Sequence, residues 1–289
     1  MSSRILPKFE LLMPKTLAEA VELLGTYGEK ATVMAGGTDL LVLMKDGVQS
    51  DYVLSLSGIK ELAYLEFDDA AGLRIGAMAT MADVVASDLV KEKYPALWTS
   101  AQINGTAQTR NAATVVGNIL RASPAGDCCC AALAIGGSVL LQSPDGPREV
   151  DLDQFWLDYR KTARKPDELA VELKLPAPEP GMVSSFAALT RTASDISKIN
   201  AAACLFMEGN VCQKARLTMG AVAPTTLRLK KCEELLAGKP LSDELLDQLA
   251  TMAANEVSPI SDVRSTAEYR SQISGPLLKR VIIDASALS

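Results

Sequence analysis

Two glycine-bearing segments, far apart in the chain, hold the residue types best suited to chemistry. They are Val33-Met34-Ala35-Gly36-Gly37-Thr38-Asp39-Leu40 and Thr114-Val115-Val116-Gly117-Asn118-Ile119. Each follows an apolar or β-branched stretch. Glycine lets a backbone turn with no Cβ in the way, and so exposes rows of N–H donors. Concave rows of this kind attract anions, phosphates above all. Thr38, Thr114 and Asn118 add hydroxyl and amide groups beside the glycines. One glycine pair alone is ordinarily a turn; two such loops suit a pyrophosphate, which needs many donors and can be gripped from both sides.

Two absences narrow the chemistry further. The chain has no histidine, which removes Ser-His and Cys-His catalysis and histidine metal sites. Its six cysteines (Cys128, Cys129, Cys130, Cys204, Cys212, Cys232) form no C-x-x-C pair, the usual spacing of iron–sulfur and zinc ligands. Neighbouring side chains on a helix point about 100° apart, so three consecutive cysteines do not converge on one metal. Cys128 to Cys130 read instead as small buried helix residues beside Ala131 and Ala132, and redox work would fall to a bound cofactor. The 289 residues are 48% hydrophobic and 22% charged, with a net charge of −6. That acidic balance argues against nucleic acid or an anionic membrane as partner. The stretch from Cys128 to Leu141 contains Gly136-Gly137 and is too short to span a bilayer. With no signal-peptide core near Met1, a cytoplasmic protein without membrane insertion is expected.

The loops need elements to hold them. Thr16 followed by Glu19 is a capping box, and Leu17, Ala20, Val21 and Leu24 share one face of the helix it starts, with Gly25 and Gly28 as stops. Ala31 to Ala35 reads as a buried strand entering the first loop. Asp51 to Leu56 and Leu73 to Ala77 read as further strands, and Thr80 caps a helix over 81–86. A helix over 96–103 precedes the second loop. Beyond it, Ser123-Pro124-Ala125-Gly126 turns the chain and Asp127 is placed to cap a helix through Ala134. Val139 to Gln142 and Arg148 to Val150 flank a Pro-Asp-Gly-Pro turn, a hairpin pattern. Pro176 to Gly181 is the best linker. After it, strands over 201–207 and 211–219 meet at Glu208-Gly209-Asn210. Helices are expected over 227–236, over 242–255, and over 265–285 with a break at Gly275-Pro276. An α/β front portion and a smaller α+β back portion follow from this order.

At these residues the chain resembles the FAD-binding (medium) subunits of the molybdenum hydroxylases, the xanthine, carbon monoxide and nicotinate dehydrogenase type. The likeness begins at Phe9-Glu10-Leu11-Leu12-Met13-Pro14 and runs to the C-terminus. Ala35 to Leu40 matches the first flavin loop. Arg110-Asn111, Thr114 to Ile119 and Ser123 to Asp127 match the second. Ser194-Asp195-Ile196 and Gly220 to Arg228 resemble the signature of the C-terminal domain.

The resemblance implies a two-subdomain FAD-binding domain of the PCMH (VAO-like) type over residues 1–180, split near residue 60. A CO dehydrogenase flavoprotein-like α+β domain would follow over 181–289. It implies FAD contacts from Val33, Met34, Ala35, Gly36, Gly37, Thr38, Asp39 and Leu40, and from Thr114, Val115, Val116, Gly117 and Asn118. Further contacts are implied from Asp127, from a strand near Ala170, and from Phe186 or its neighbour Ala187. The loop bearing Arg191 and Asp195 would approach the flavin ring. A branched side chain at Gly36 would then close the site while sparing the fold. Without histidine for the common covalent linkage, FAD would bind non-covalently. Val116 stands where the family usually has glycine, and a β-branched residue there requires ordinary dihedrals. The implied role is electron transfer to NAD or another acceptor, with molybdenum–pterin and iron–sulfur clusters on partner subunits. The rival readings are a single-chain FAD reductase of the enolpyruvyl reductase type, which would need its own proton donor, and a scaffold subunit without flavin.

Overall fold

A computed structural model describes residues 5–288. Three sheets follow one another along the chain. The first is parallel and three-stranded, in the order Glu10–Leu12, Tyr52–Ser55, Ala31–Met34. Helix Leu17–Tyr27 connects its outer strands and buries Ala20, Val21 and Leu24, the face that the sequence periodicity marks. The Thr16 side chain accepts from the Glu19 N–H, but the Glu19 carboxylate reaches the N–H of Lys15, not that of Thr16. The expected box is therefore displaced by one residue.

The second sheet is antiparallel, in the order Leu65–Asp68, Gly72–Gly76, Leu169–Leu175, Ser138–Ser143, Gly146–Asp151. Between Gly72–Gly76 and Ser138–Ser143, its second and third strands in chain order, runs a series of helices: Met81–Ala86, Asp88–Lys93, Pro95–Ile103, Ala107–Arg110, Val115–Arg121 and Asp127–Ile135. Thr80 opens the first of them with a complete capping box, its partner being Asp83. All nine residues of Asp127–Ile135 are buried. That is where the three consecutive cysteines lie, each fully buried, and burial pushes the Cys128 and Cys130 thiols up to about 12.

The third sheet joins Met182–Leu189, Ile199–Glu208, Val211–Gly220 and Leu227–Arg228, with Lys239–Pro240 beside Val211–Gly220. Leu227 and Arg228 pair with Met219 and Thr218, so the following helix is only Lys230–Leu236, shorter than the sequence pattern suggests. The last helix, Ala267–Ser286, runs unbroken through Gly275-Pro276, contrary to the expected interruption. A proline inside a helix costs about 3 kcal/mol. The turns beyond it bury Leu277, Leu278, Val281 and Ile282, each worth about 1.5–3 kcal/mol, which outweighs that cost. Gly275 permits the close crossing: a Cβ there would lie 2.4 Å from the Ala250 carbonyl oxygen of helix Asp243–Glu256.

One core spans both N-terminal sheets and reaches Phe186, Ala202 and Cys204; a second fills the space between the third sheet and the last three helices. Helix Asp127–Ile135 is held by the C-terminal sheet along its length. Thr218 donates to the Cys130 carbonyl at 2.8 Å. At the helix end, Arg216 donates to the carbonyls of Leu133 and Ala134 and pairs with Asp153, which also receives Arg228.

Candidate functional site

The first glycine loop leaves the sheet at Met34 and ends where Asp39 leads into helix Leu40–Lys45. Gly37 has φ +69°, a conformation that costs glycine nothing and side-chain-bearing residues much. Gly36 has a different task. A Cβ on it would fall 1.7 Å from the Ala112 carbonyl oxygen and 2.5 Å from the Ala112 carbonyl carbon. The first loop therefore lies backbone to backbone on the approach to the second.

The second loop is the start of helix Val115–Arg121. Thr114 caps it, its hydroxyl oxygen accepting from the Gly117 N–H at 3.0 Å. Val116 is helical and 3% exposed, with no positive φ, so the departure from the family's glycine costs nothing here. Asn118 faces Cys129, whose thiol approaches its carbonyl and its side-chain oxygen.

Asp127 is not a helix cap; it is the first helical residue, after Gly126. Its carboxylate oxygen accepts from Ser197 Oγ and from Asn200 Nδ2, each at 2.7 Å. Burial pushes its pKa up to about 6, against the two hydrogen bonds that favour the charged form. This carboxylate fastens the second subdomain to the C-terminal domain at the edge of the site.

Between the loops opens a cleft of about 1440 Å³. That exceeds the roughly 300–1,000 Å³ of ordinary small-molecule pockets and suits a large ligand. All of Val33 to Leu40 line it, as do Thr114, Val116, Gly117, Asn118, Asp127 and Ala170. Ala170 sits where a register irregularity interrupts the pairing of Leu169–Leu175 with Ser138–Ser143, a device that re-aims a strand. Two expected contacts are absent from the lining. Val115 is fully buried on the core side of its helix, and Phe186 lies in strand Met182–Leu189, 6% exposed and packed in the first core. Of the loop near the expected flavin ring, Ser194, Asp195, Ile196 and Ser197 line the cleft; Arg191 is exposed and pairs with Asp195 at 3.2 Å. Sequence reading missed Arg121, at the last turn of the second loop's helix. Its Nε is buried with no hydrogen-bond partner, 3.4 Å from an Asp39 carboxylate oxygen. A lone arginine ending a helix carries no sequence signal of this.

The donor set fits FAD: two facing loops of backbone N–H groups, a positive-φ glycine, and an unpartnered buried guanidinium nitrogen beside them. Comparisons with known proteins agree. The family described as FAD binding domain in molybdopterin dehydrogenase matches residues 7–178, and the CO dehydrogenase flavoprotein C-terminal domain matches residues 184–285. The medium chain of carbon monoxide dehydrogenase from Hydrogenophaga pseudoflava is 31% identical, over 96% of each chain. The xanthine dehydrogenase FAD-binding subunit of Escherichia coli O157:H7 is 30% identical, over 94% of each. A solved carbon monoxide dehydrogenase from H. pseudoflava, lacking the Mo-pyranopterin moiety of its cofactor, superposes with a TM-score of 0.94 at 31% identity, covering 98% of this chain and 99% of that one. Fold and cleft thus define an FAD-binding flavoprotein of the oxidoreductases. Within that class, the chain belongs to the family of FAD-binding medium subunits of the molybdenum hydroxylases.

Proposed function

We propose that this chain is the electron-transfer subunit of a multisubunit molybdenum hydroxylase. It would receive electrons from iron–sulfur clusters of one partner subunit and deliver them to NAD or another acceptor. A second partner, with a molybdenum–pterin centre, would oxidise the substrate. The observation that carries this reading is the cleft of about 1440 Å³ between two backbone-lined loops, roomy enough for a dinucleotide. Bound FAD would exchange one or two electrons, which is the chemistry that joins a one-electron donor to a two-electron acceptor.

In this reading the chain's own residues bind and orient. Gly36 and Gly37 bring backbone donors to the diphosphate, and Thr38 adds a hydroxyl. The Thr114 oxygen is occupied by Gly117, which leaves its hydroxyl proton to donate. Asp127, the buried acid at the cleft, is committed to Ser197 and Asn200, which speaks against a proton donor for a substrate of this chain's own. Tyr159, Ile196 and Ile260 are exposed apolar side chains on three separate loops at the cleft, a surface suited to a partner subunit. The domain division at Pro176 to Gly181 and the cytoplasmic location are part of the proposal. No helix among the described residues is long and apolar enough to cross a membrane.

Affinity purification from the native source tests it. The expected result is a small cysteine-rich chain and a much larger one, with molybdenum and iron in the assembly, and FAD released completely by acid precipitation. A metal-free homo-oligomer that turns over its own substrate would refute it, as would colour retained in the acid pellet or recovery of FMN alone.

A further inference from the structure

Five arginines line the cleft: Arg121, Arg160, Arg164, Arg264 and Arg270. Four have settled roles. Arg270 donates to the Lys198 and Ile260 carbonyls and holds Asp262 with both oxygens. Arg264 pairs with the same Asp262. Arg164 spends one nitrogen on the carbonyls of Lys165, Pro166 and Glu168. Arg160 is exposed and lies over the Tyr159 ring. Arg121 differs from all of these. Its side chain is only 17% exposed, its Nε is buried, and it makes no hydrogen bond among the described residues; its charged neighbour is Asp39 at 3.4 Å.

A buried guanidinium nitrogen with no acceptor is costly, and a charge-assisted hydrogen bond to phosphate is among the strongest ways to satisfy it. The position suits that use. Arg121 closes the helix that starts at Thr114, while Asp39 closes the loop that starts at Met34, so their contact spans the two loops. We infer that Arg121 is the cationic ligand of the FAD diphosphate, adding the positive charge that the neutral glycine loops lack. This rests on the flavoprotein reading above. Asp39, 3.4 Å away, holds the guanidinium at the junction of the two loops.

The test uses the full-length apo-protein, with FAD binding followed by quenching of flavin fluorescence and ADP as the competing probe. Arg121→Gln should weaken both FAD and ADP by about ten- to a hundredfold. Arg121→Lys should recover most of that loss, because it restores the charge but not the planar fork. Raising ionic strength should weaken the wild type more than Arg121→Gln, since one screened charge is gone. Circular dichroism and thermal melting establish that each variant folds; if Arg121→Gln does not, Arg121→Met takes its place, read by the same FAD and ADP affinities and the same salt dependence. Affinities for FAD and ADP within twofold of wild type in a folded Arg121→Gln would overturn the assignment of Arg121 alone. A wild-type chain that binds no FAD would overturn the flavoprotein reading itself.

Discussion

Gly36→Ala is the sharpest single perturbation of the loop pair. The added Cβ would sit 1.7 Å from the Ala112 oxygen and 3.2 Å from the Ala113 nitrogen. These are backbone atoms, which cannot swing aside as a side-chain tip can, so the two loops must part by more than an ångström. Overpacking of this kind costs about 1–3 kcal/mol. At roughly 2–4 °C per kcal/mol for a chain of this size, the apo-protein should melt several degrees lower. Parting the loops also removes donors from the diphosphate. Two charge-assisted hydrogen bonds, at about 1.5 kcal/mol or more each, correspond to at least a hundredfold loss of FAD affinity. The sequence expectation that a side chain at Gly36 spares the fold is therefore revised, because the first obstacle is the protein itself. The assay is FAD per chain after acid release, with apo-protein melting in parallel. Gly209→Ala is the control: it has a positive φ, +57°, which Gly36 lacks, but nothing within 4 Å of a Cβ, so it should lose stability without losing FAD. Gly36→Ala with full flavin content and an unchanged melting temperature would refute the loop-contact argument.

The remaining expectations concern buried ionisable groups. Asp127 titrates near 6 in the folded chain and near 3.8 when unfolded, so its proton is held more tightly in the fold. Its contribution is greatest below the unfolded value and is lost as pH rises through about 6. Urea unfolding of the apo-protein should show wild type losing on the order of 1 kcal/mol between pH 5 and 7 relative to Asp127→Asn, and parallel pH profiles would contradict this. All six cysteines are buried, with thiols raised by desolvation. A thiol reagent at pH 8 should label none within minutes in the native protein and all six in denaturant. Rapid labelling of a folded sample would show that the helix of three cysteines opens.

What was legible in the sequence follows from how local each signal is. The Thr80 cap and the helix face of Ala20, Val21 and Leu24 depend on residues a turn apart, and they stand where the pattern puts them. The Gly275-Pro276 break failed because a propensity worth a few kcal/mol met four buried aliphatic side chains that no local window weighs. Leu227-Arg228 was absorbed by a sheet edge for the same reason. Both glycine loops were visible, as was Asp127 as a polar residue with work to do. Its partners Ser197 and Asn200 were not, lying some seventy residues on. Arg121 shows the limit most plainly, since its meaning lies in the hydrogen bond it lacks. Leu65–Asp68 alternates, but over only four residues, too few to stand out; Leu169–Leu175 is buried on nearly every residue and so shows no alternation at all.

Helix Asp127–Ile135 carries a consequence for how the chain is made. Its N-terminal carboxylate, its middle carbonyl and its last carbonyls all bond to residues of the C-terminal sheet: Asn200, Thr218 and Arg216. The Thr218 contact spans 88 positions of sequence. At ribosomal speeds of about 5–20 residues per second, that is roughly 5–20 s in which the side of this helix that faces the C-terminal sheet has no cover, although helix Pro95–Ile103 already lies against another side. The flavin half of the protein therefore cannot finish folding as it emerges. It must be shielded until strand Val211–Gly220 has been synthesised, and a fragment ending at the linker would leave the ribosome with one side of this helix uncovered.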